Sequence, residues 1–117
     1  MQYNWQLPFM SIVDKQTFIQ EKAIERSIKW SRHGLSELAQ ETFTVADVEL
    51  ALESAKVIED YSYQHRYLPD CLILAWISQN QPVHCVVAIN EPHDYILIVT
   101  VYQPSPKEWH NDWRTRK

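Results

Sequence analysis

The first half of the chain carries apolar residues at helical spacing, and the second half carries unbroken apolar runs. At the start, Tyr3, Trp5, Leu7 and Phe9 alternate with Gln2, Asn4, Gln6 and Pro8, the period of an extended segment with one apolar side. Pro8 confines it to a sheet edge or an arm. This arm, residues 1–13, is expected either to pack on its own domain or to exchange with a partner subunit. From Asp14, a good N-cap, Phe18, Ile19, Ala23 and Ile24 form a stripe while Gln20, Glu21, Lys22 and Glu25 face out, which predicts a first helix. Residues 26–30 read either as its continuation or as a short extended link. Ser31 can cap a second helix running to about Gln40. Gly34 inside that helix implies that something packs close to its backbone. Thr44-Val-Ala-Asp47 forms a capping box ahead of Val45, Val48, Leu52 and Ala55, predicting a third helix over about 44–54.

The pattern then changes. Residues 56–61 read as a strand and residues 62–70, with His65, Arg66 and Pro69, as a long loop. Residues 71–77 are apolar on both faces, as in a strand of a sheet covered on both sides. Residues 82–90 and 95–104 are rich in β-branched and aromatic residues and are joined through the loop Asn90-Glu-Pro-His-Asp94, which predicts a hairpin. With an odd loop of about three or five residues, His84 falls opposite Thr100, with Tyr102 diagonally next on the same face. That face should also carry Ile73, Ala75, Ile77, Val86, Ala88, Ile96 and Ile98. The predicted fold class is therefore α+β, with about three N-terminal helices followed by a four-stranded antiparallel β-meander in one domain over residues 14–109. Trp109 and Trp113 suit one helical face, and the basic tail, residues 110–117, should fray. Both sheet faces are apolar and need a cover, which points to a homodimer.

Composition narrows the chemistry. A single glycine, Gly34, cannot build a dinucleotide fingerprint or a phosphate loop, both of which need several. With 11 Lys and Arg against 15 Asp and Glu, the net charge of −4 argues against strong non-specific nucleic-acid binding. Taking Asn80-Gln81 as a two-residue turn places Cys85 opposite Trp76 and Cys71 opposite Asn90. The two thiols are then too far apart for a disulfide and fit a reducing cytosol. Neither a basic leader before an apolar core nor a run of membrane-spanning length is present, so a cytoplasmic protein without membrane association is expected.

His84, Thr100 and Tyr102 form the one core cluster with evident chemical capacity. The ring of His84 is either a core histidine bonded to a neighbour such as Thr100, or a general acid or base assisted by Tyr102. His33 on the second helix is either a capped, partly exposed histidine or a catalytic partner. His33 stands one and two turns from Glu37 and Glu41, but no paired-His or Cys-pair spacing completes a metal site, so neither metal nor cofactor is expected.

Ser31-Arg-His33, Val45-Ala-Asp47-Val48, Lys56-Val-Ile-Glu59-Asp, Pro69-Asp-Cys71-Leu, Pro82-Val-His84-Cys-Val-Val and Thr100-Val-Tyr102-Gln-Pro104 through Trp109, in that order, resemble a bacterial family, domain of unknown function 4258. The resemblance spans roughly residues 28–109. That family is similar to the RelE and BrnT toxin group, compact α+β proteins in which helices precede an antiparallel sheet and many members cleave RNA. The resemblance implies a RelE/BrnT-like fold and metal-independent RNA cleavage or binding. It assigns catalytic roles to His33, His84, Thr100 and Tyr102, while Arg32, Arg66 and Arg26 are this chain's own candidates for the phosphate contacts. The partners it implies are RNA and a cognate antitoxin or other protein. Glu37 and Glu41 depart from it, standing where the family pattern places arginines. A carboxylate there opposes phosphate binding, and the alternative is a catalytically inactive interaction or dimeric accessory module of the same fold.

Overall fold

Why the first helix stops where it does is visible in its last turn. In the computed structural model, which describes residues 12–61 and 68–117, helix α1 spans Ile12–Glu25. It closes through Arg26 N–H to the Ala23 carbonyl (3.2 Å) and Ser27 N–H to the Lys22 carbonyl (2.9 Å). That pair of bonds is a Schellman cap, which requires a left-handed residue, and Arg26 supplies it at φ 65°. The chain then enters strand β1, Ile28–Trp30, so residues 26–30 are a cap and a strand. Helix α2, Arg32–Leu38, is capped by Ser31, and α3, Val45–Ala51, by the reciprocal Thr44–Asp47 box, with a 3-10 turn at Leu52–Ser54. Strands β2 (Lys56–Asp60), β3 (Asp70–Ser78), β4 (Gln81–Asn90) and β5 (Tyr95–Tyr102) follow.

The sheet has five strands in the order β1-β5-β4-β3-β2, with β1 parallel to β5. The expected four-stranded antiparallel meander is thus the larger part of a mixed sheet. Three residues are too few to show a period, and β1 becomes a strand only because the free edge of β5 receives it.

Face assignment also changes. The helix-covered core holds Cys71, Ile73, Ala75, Val83, Cys85, Val87, Ile89, Ile96, Ile98 and Val101. The other face carries Leu72, Leu74, His84, Val86, Ala88, Leu97, Thr100 and Tyr102. Ile73, Ala75, Ile96 and Ile98 therefore lie opposite the polar trio, not beside it. One cause is the β3–β4 turn at Gln79-Asn80, with a register shift between Trp76 and Ser78. Cys71 then faces Val87 and Cys85 faces Ile73, so the thiols are diagonal neighbours. Both are buried and free, and burial pushes Cys71 up to about 12. The second cause is a bulge. From Asn90↔Tyr95 to Val87↔Ile98 the ladder is regular, then Val86 pairs with Thr100 and His84 with Tyr102, leaving Val99 as the extra residue.

Helix α2 is docked on that bulge. Ser31 N–H bonds the Ile98 carbonyl (2.9 Å), and Ser31 Oγ donates to the Val99 carbonyl (3.0 Å) while accepting from Gly34 N–H (2.8 Å). A Cβ on Gly34 would lie 2.8 Å from the Ile98 carbonyl oxygen, so the close packing implied by this glycine is present. On the other side α1 is tied to the sheet by the buried Lys15, which pairs with Asp60, and by Gln16 Oε1 accepting from Val57 N–H (2.9 Å). Most of the arm over residues 1–13 and most of the predicted loop over 62–70, with His65 and Arg66, lie outside the described residues. Among the described residues no helix is long and apolar enough to cross a membrane.

Two substitutions should move stability in opposite directions in urea unfolding. Gly34→Ala should lower it by about 1–2 kcal/mol despite the better helix propensity of alanine, because backbone cannot yield to the new methyl. Arg26→Gly should raise it by about 0.5–1 kcal/mol by relieving the left-handed backbone.

Candidate functional site

His84 lies mid-strand in β4, between Leu74 of β3 and Tyr102 of β5, and has no exposed surface. Its Nε2 is 2.7 Å from the Trp113 carbonyl oxygen and its Nδ1 is 3.1 Å from Tyr102 Oη. A carbonyl can only accept, so Nε2 carries the hydrogen and Nδ1 accepts from the Tyr102 hydroxyl. The neutral ring is thereby fully bonded. Trp109 stands edge-on to it at 4.5 Å between centroids, and Tyr102 at 5.3 Å. Burial depresses the pKa of His84 below its ordinary value, more than the Trp113 carbonyl and the Glu59 charge raise it. Burial also pushes the Tyr102 phenol up to about 12, so it stays protonated at neutral pH.

The lid over His84 comes from the C-terminus. Residues 104–117 neither continue as a helix from Trp109 nor fray; they fold back as a strap. Trp109 and Arg116 form an antiparallel bridge, His110 N–H bonds the Thr115 carbonyl (2.9 Å) and Lys117 N–H the Glu108 carbonyl (2.9 Å). Asp112 ties the turn by accepting from Arg114 N–H, Thr115 N–H and the Thr115 hydroxyl. Trp109 is 1% exposed, and a buried indole contributes on the order of 200 Å² of covered surface.

Arg116 clamps the strap to β2. Its Nε and Nη2 donate to the two Glu59 carboxylate oxygens at 2.7 and 3.0 Å, a bidentate pair, and its guanidinium sits 4.6 Å from the Trp109 ring centre. Arg116 holds the Glu59 carboxyl below its usual range against the opposing effect of burial. Glu59 also accepts from the Tyr61 hydroxyl at 2.6 Å. None of Trp109, Arg116, Glu59 or the Trp113 carbonyl was among the expected site residues. The signal for them in the sequence was Asn111-Asp112 between a tryptophan and basic residues, which is turn chemistry more than helix chemistry.

The expected site residues are only partly brought together. His84 and Tyr102 are direct cross-strand partners; Thr100 faces the same side but pairs with Val86, not with His84 as expected. His33 is 66% exposed on α2, with Nε2 3.3 Å from Glu37 Oε2, and its ring does not join that of His84. Arg32 is exposed at the start of the same helix, and Arg66 lies outside the described residues. Glu37 acts structurally, because its Oε1 accepts the Val101 N–H at 3.0 Å and so caps the edge of β5 beyond the end of β1. Glu37, Gln40, Glu41, Val101 and Tyr102 line a small acidic cavity of about 170 Å³. Among the described residues no three His, Cys, Asp or Glu side chains gather in a group that could hold a metal ion.

The family model described as a domain of unknown function, DUF4258, matches residues 30–103. That stretch runs from the end of β1 through β5 and excludes the strap. No curated protein and no solved structure matches the chain.

Burial of neutral His84 has a measurable pH signature. The unfolded chain takes up its proton near the ordinary 6.5, while the folded chain resists it, so the unfolded state binds more protons below that pH. Stability should fall as pH drops through 6.5, by up to about 1.4 kcal/mol per pH unit relative to His84→Gln, until the folded histidine itself protonates. Urea midpoints at several pH values for both proteins check this; parallel profiles would refute it.

Proposed function

This chain belongs to the DUF4258 family, and from that premise we propose that it is a RelE/BrnT-like domain acting as a protein-interaction module, not as a ribonuclease in the closed form described above. One observation carries the reading: His84, the best-placed acid–base group, has no exposed surface and both ring nitrogens occupied. A general base must come within hydrogen-bond reach of the proton it removes, and no substrate hydroxyl reaches a ring sealed beneath Trp109. The cavity beside Tyr102 adds to this, because Glu37 and Glu41 would repel the phosphate whose developing charge a ribonuclease must stabilise. The partner in this reading is a protein, either a cognate antitoxin or a second copy of the chain.

A second reading, a toxin-type endoribonuclease, is favoured by one feature. Trp109 and the Trp113 carbonyl belong to residues 104–117, wholly beyond the matched stretch 30–103. Release of the strap would uncover His84 and Tyr102 together. One of His33 and His84 would then take the 2′-hydroxyl proton of RNA as that oxygen attacks the phosphorus, the other or Tyr102 would protonate the leaving 5′-oxygen, Thr100 would assist, and Arg32 and Arg66 would hold the phosphate.

Induced expression of the wild-type chain should leave bacterial growth unchanged, and the pure protein should leave bulk RNA intact. Arg116→Ala and Trp109→Ala, which loosen the strap in the full chain, should not confer cleavage. RNA cleavage that appears in those variants and disappears with added His84→Ala would establish the second reading. Cleavage by the wild-type protein would overturn the first.

A further inference from the structure

At the opposite end of the β4–β5 hairpin from His84, the turn after α1 and the β4–β5 loop enclose a cleft of about 450 Å³ lined by Arg26, Ser27, Ile28, Lys29, His93, Asp94 and Tyr95. We propose that this cleft binds a small phosphate monoester, with Arg26 and Lys29 as the charged contacts. The volume lies in the range of small-molecule sites, larger than a phosphate group alone requires, which leaves room for its organic part.

The charge of the lining is the first support. Although the chain as a whole is acidic, this wall presents a guanidinium, an ammonium and an imidazole. Its one carboxylate, Asp94, is held by Lys22 at 2.6 Å, and Lys22 is in turn bonded to Glu25 at 2.9 Å. Lys22 thus offsets part of the Asp94 charge while being shared with Glu25. Among the described residues Arg26 makes one long ion pair, 4.0 Å to Glu53, with its side chain 58% exposed. Lys29 Nζ lies 4.4 Å from the Tyr95 ring centre, and Asn90 Nδ2 donates to Tyr95 Oη at 3.0 Å. The ammonium is thus held over a fixed ring and makes no hydrogen bond among the described residues. A guanidinium offers two parallel N–H bonds and a lysine a point charge, the usual complement of a phosphate dianion.

Backbone geometry is the second. Arg26 and Asp94, on the two sides of the cleft, are both left-handed, at φ 65° and 64°. Glycine or asparagine would fill a Schellman C′ position more stably than arginine does, and residues held in such conformations concentrate where ligands bind. The cationic side chain at position 26 is kept at the cost of backbone strain.

The inference goes beyond the proposed interaction role and shares no residue with the strap. The test is a titration of the full, 15N-labelled chain at low ionic strength with adenosine 5′-monophosphate, inorganic phosphate and adenosine. The two phosphates should shift the amide resonances of residues 26–29 and 93–95 saturably while adenosine leaves them in place. Lys29→Gln and Arg26→Gln should each weaken the monophosphate by about tenfold or more. Both side chains are solvent-facing, so the variants should keep the dispersed spectrum of the folded protein. The proposal is overturned if neither phosphate gives saturable shifts, if adenosine matches its monophosphate, or if both variants bind undiminished. Resonances of residues 109–116 report separately on the strap and should not move.

Discussion

A one-residue bulge at Val99 decides which side of the sheet each of the last three residues of β5 addresses. Before it, Ile96 and Ile98 point into the helix-covered core; after it Val101 does so again, and Thr100 and Tyr102 turn to the other face beside His84. Without the extra residue, strict alternation would send Tyr102 into the hydrocarbon and Val101 out. The bulge is pinned by neighbours: Ser31 bonds the carbonyls of Ile98 and Val99, and Glu37 takes the Val101 N–H that a disturbed ladder leaves free. The same few bonds fix helix α2, which is why Gly34 must lie against the backbone there.

A second bulge works to the same end across the sheet. Between Val57 and Glu59 the β2–β3 register shifts, so that Glu59 pairs with Leu72 and lies on the face of His84. Arg116 reaches it there. One irregularity therefore sets the partner of His84 and the other sets the anchor of the strap that covers it. The outcome is a histidine whose neutral state satisfies a carbonyl and a phenol at once and that has no exposed surface. Buried polar groups specify a structure when all are satisfied, and this trio with the strap fulfils that condition.

Charge is distributed to match. Several of the acidic side chains that dominate the total are engaged in structure: Glu37 caps an edge, Glu59 clamps the strap, Asp47 closes a capping box and Asp60 pairs with the buried Lys15. At the far end of the hairpin Arg26 and Lys29 line one cleft together with Asp94, so cationic side chains gather locally in a chain of net charge −4.

The sequence alone determined the local elements. Ser31 and Thr44 specify caps through side-chain oxygens within reach of the next turn, the β-branched runs specify β4 and β5, and the lone glycine marks a close contact. These are interactions between residues a few positions apart. Tertiary structure decided what depends on distant partners: that Ile28–Trp30 is a strand, that His84 faces Tyr102 and not Thr100, and that the C-terminal residues fold back over the imidazole. Alternation along a strand predicts which residues share a side only while register is unbroken, and an inserted residue inverts every assignment beyond it. Whether a bulge forms is settled by what waits at the edge to bond the displaced carbonyls and amides, and for β5 that is a helix some seventy residues earlier in the chain.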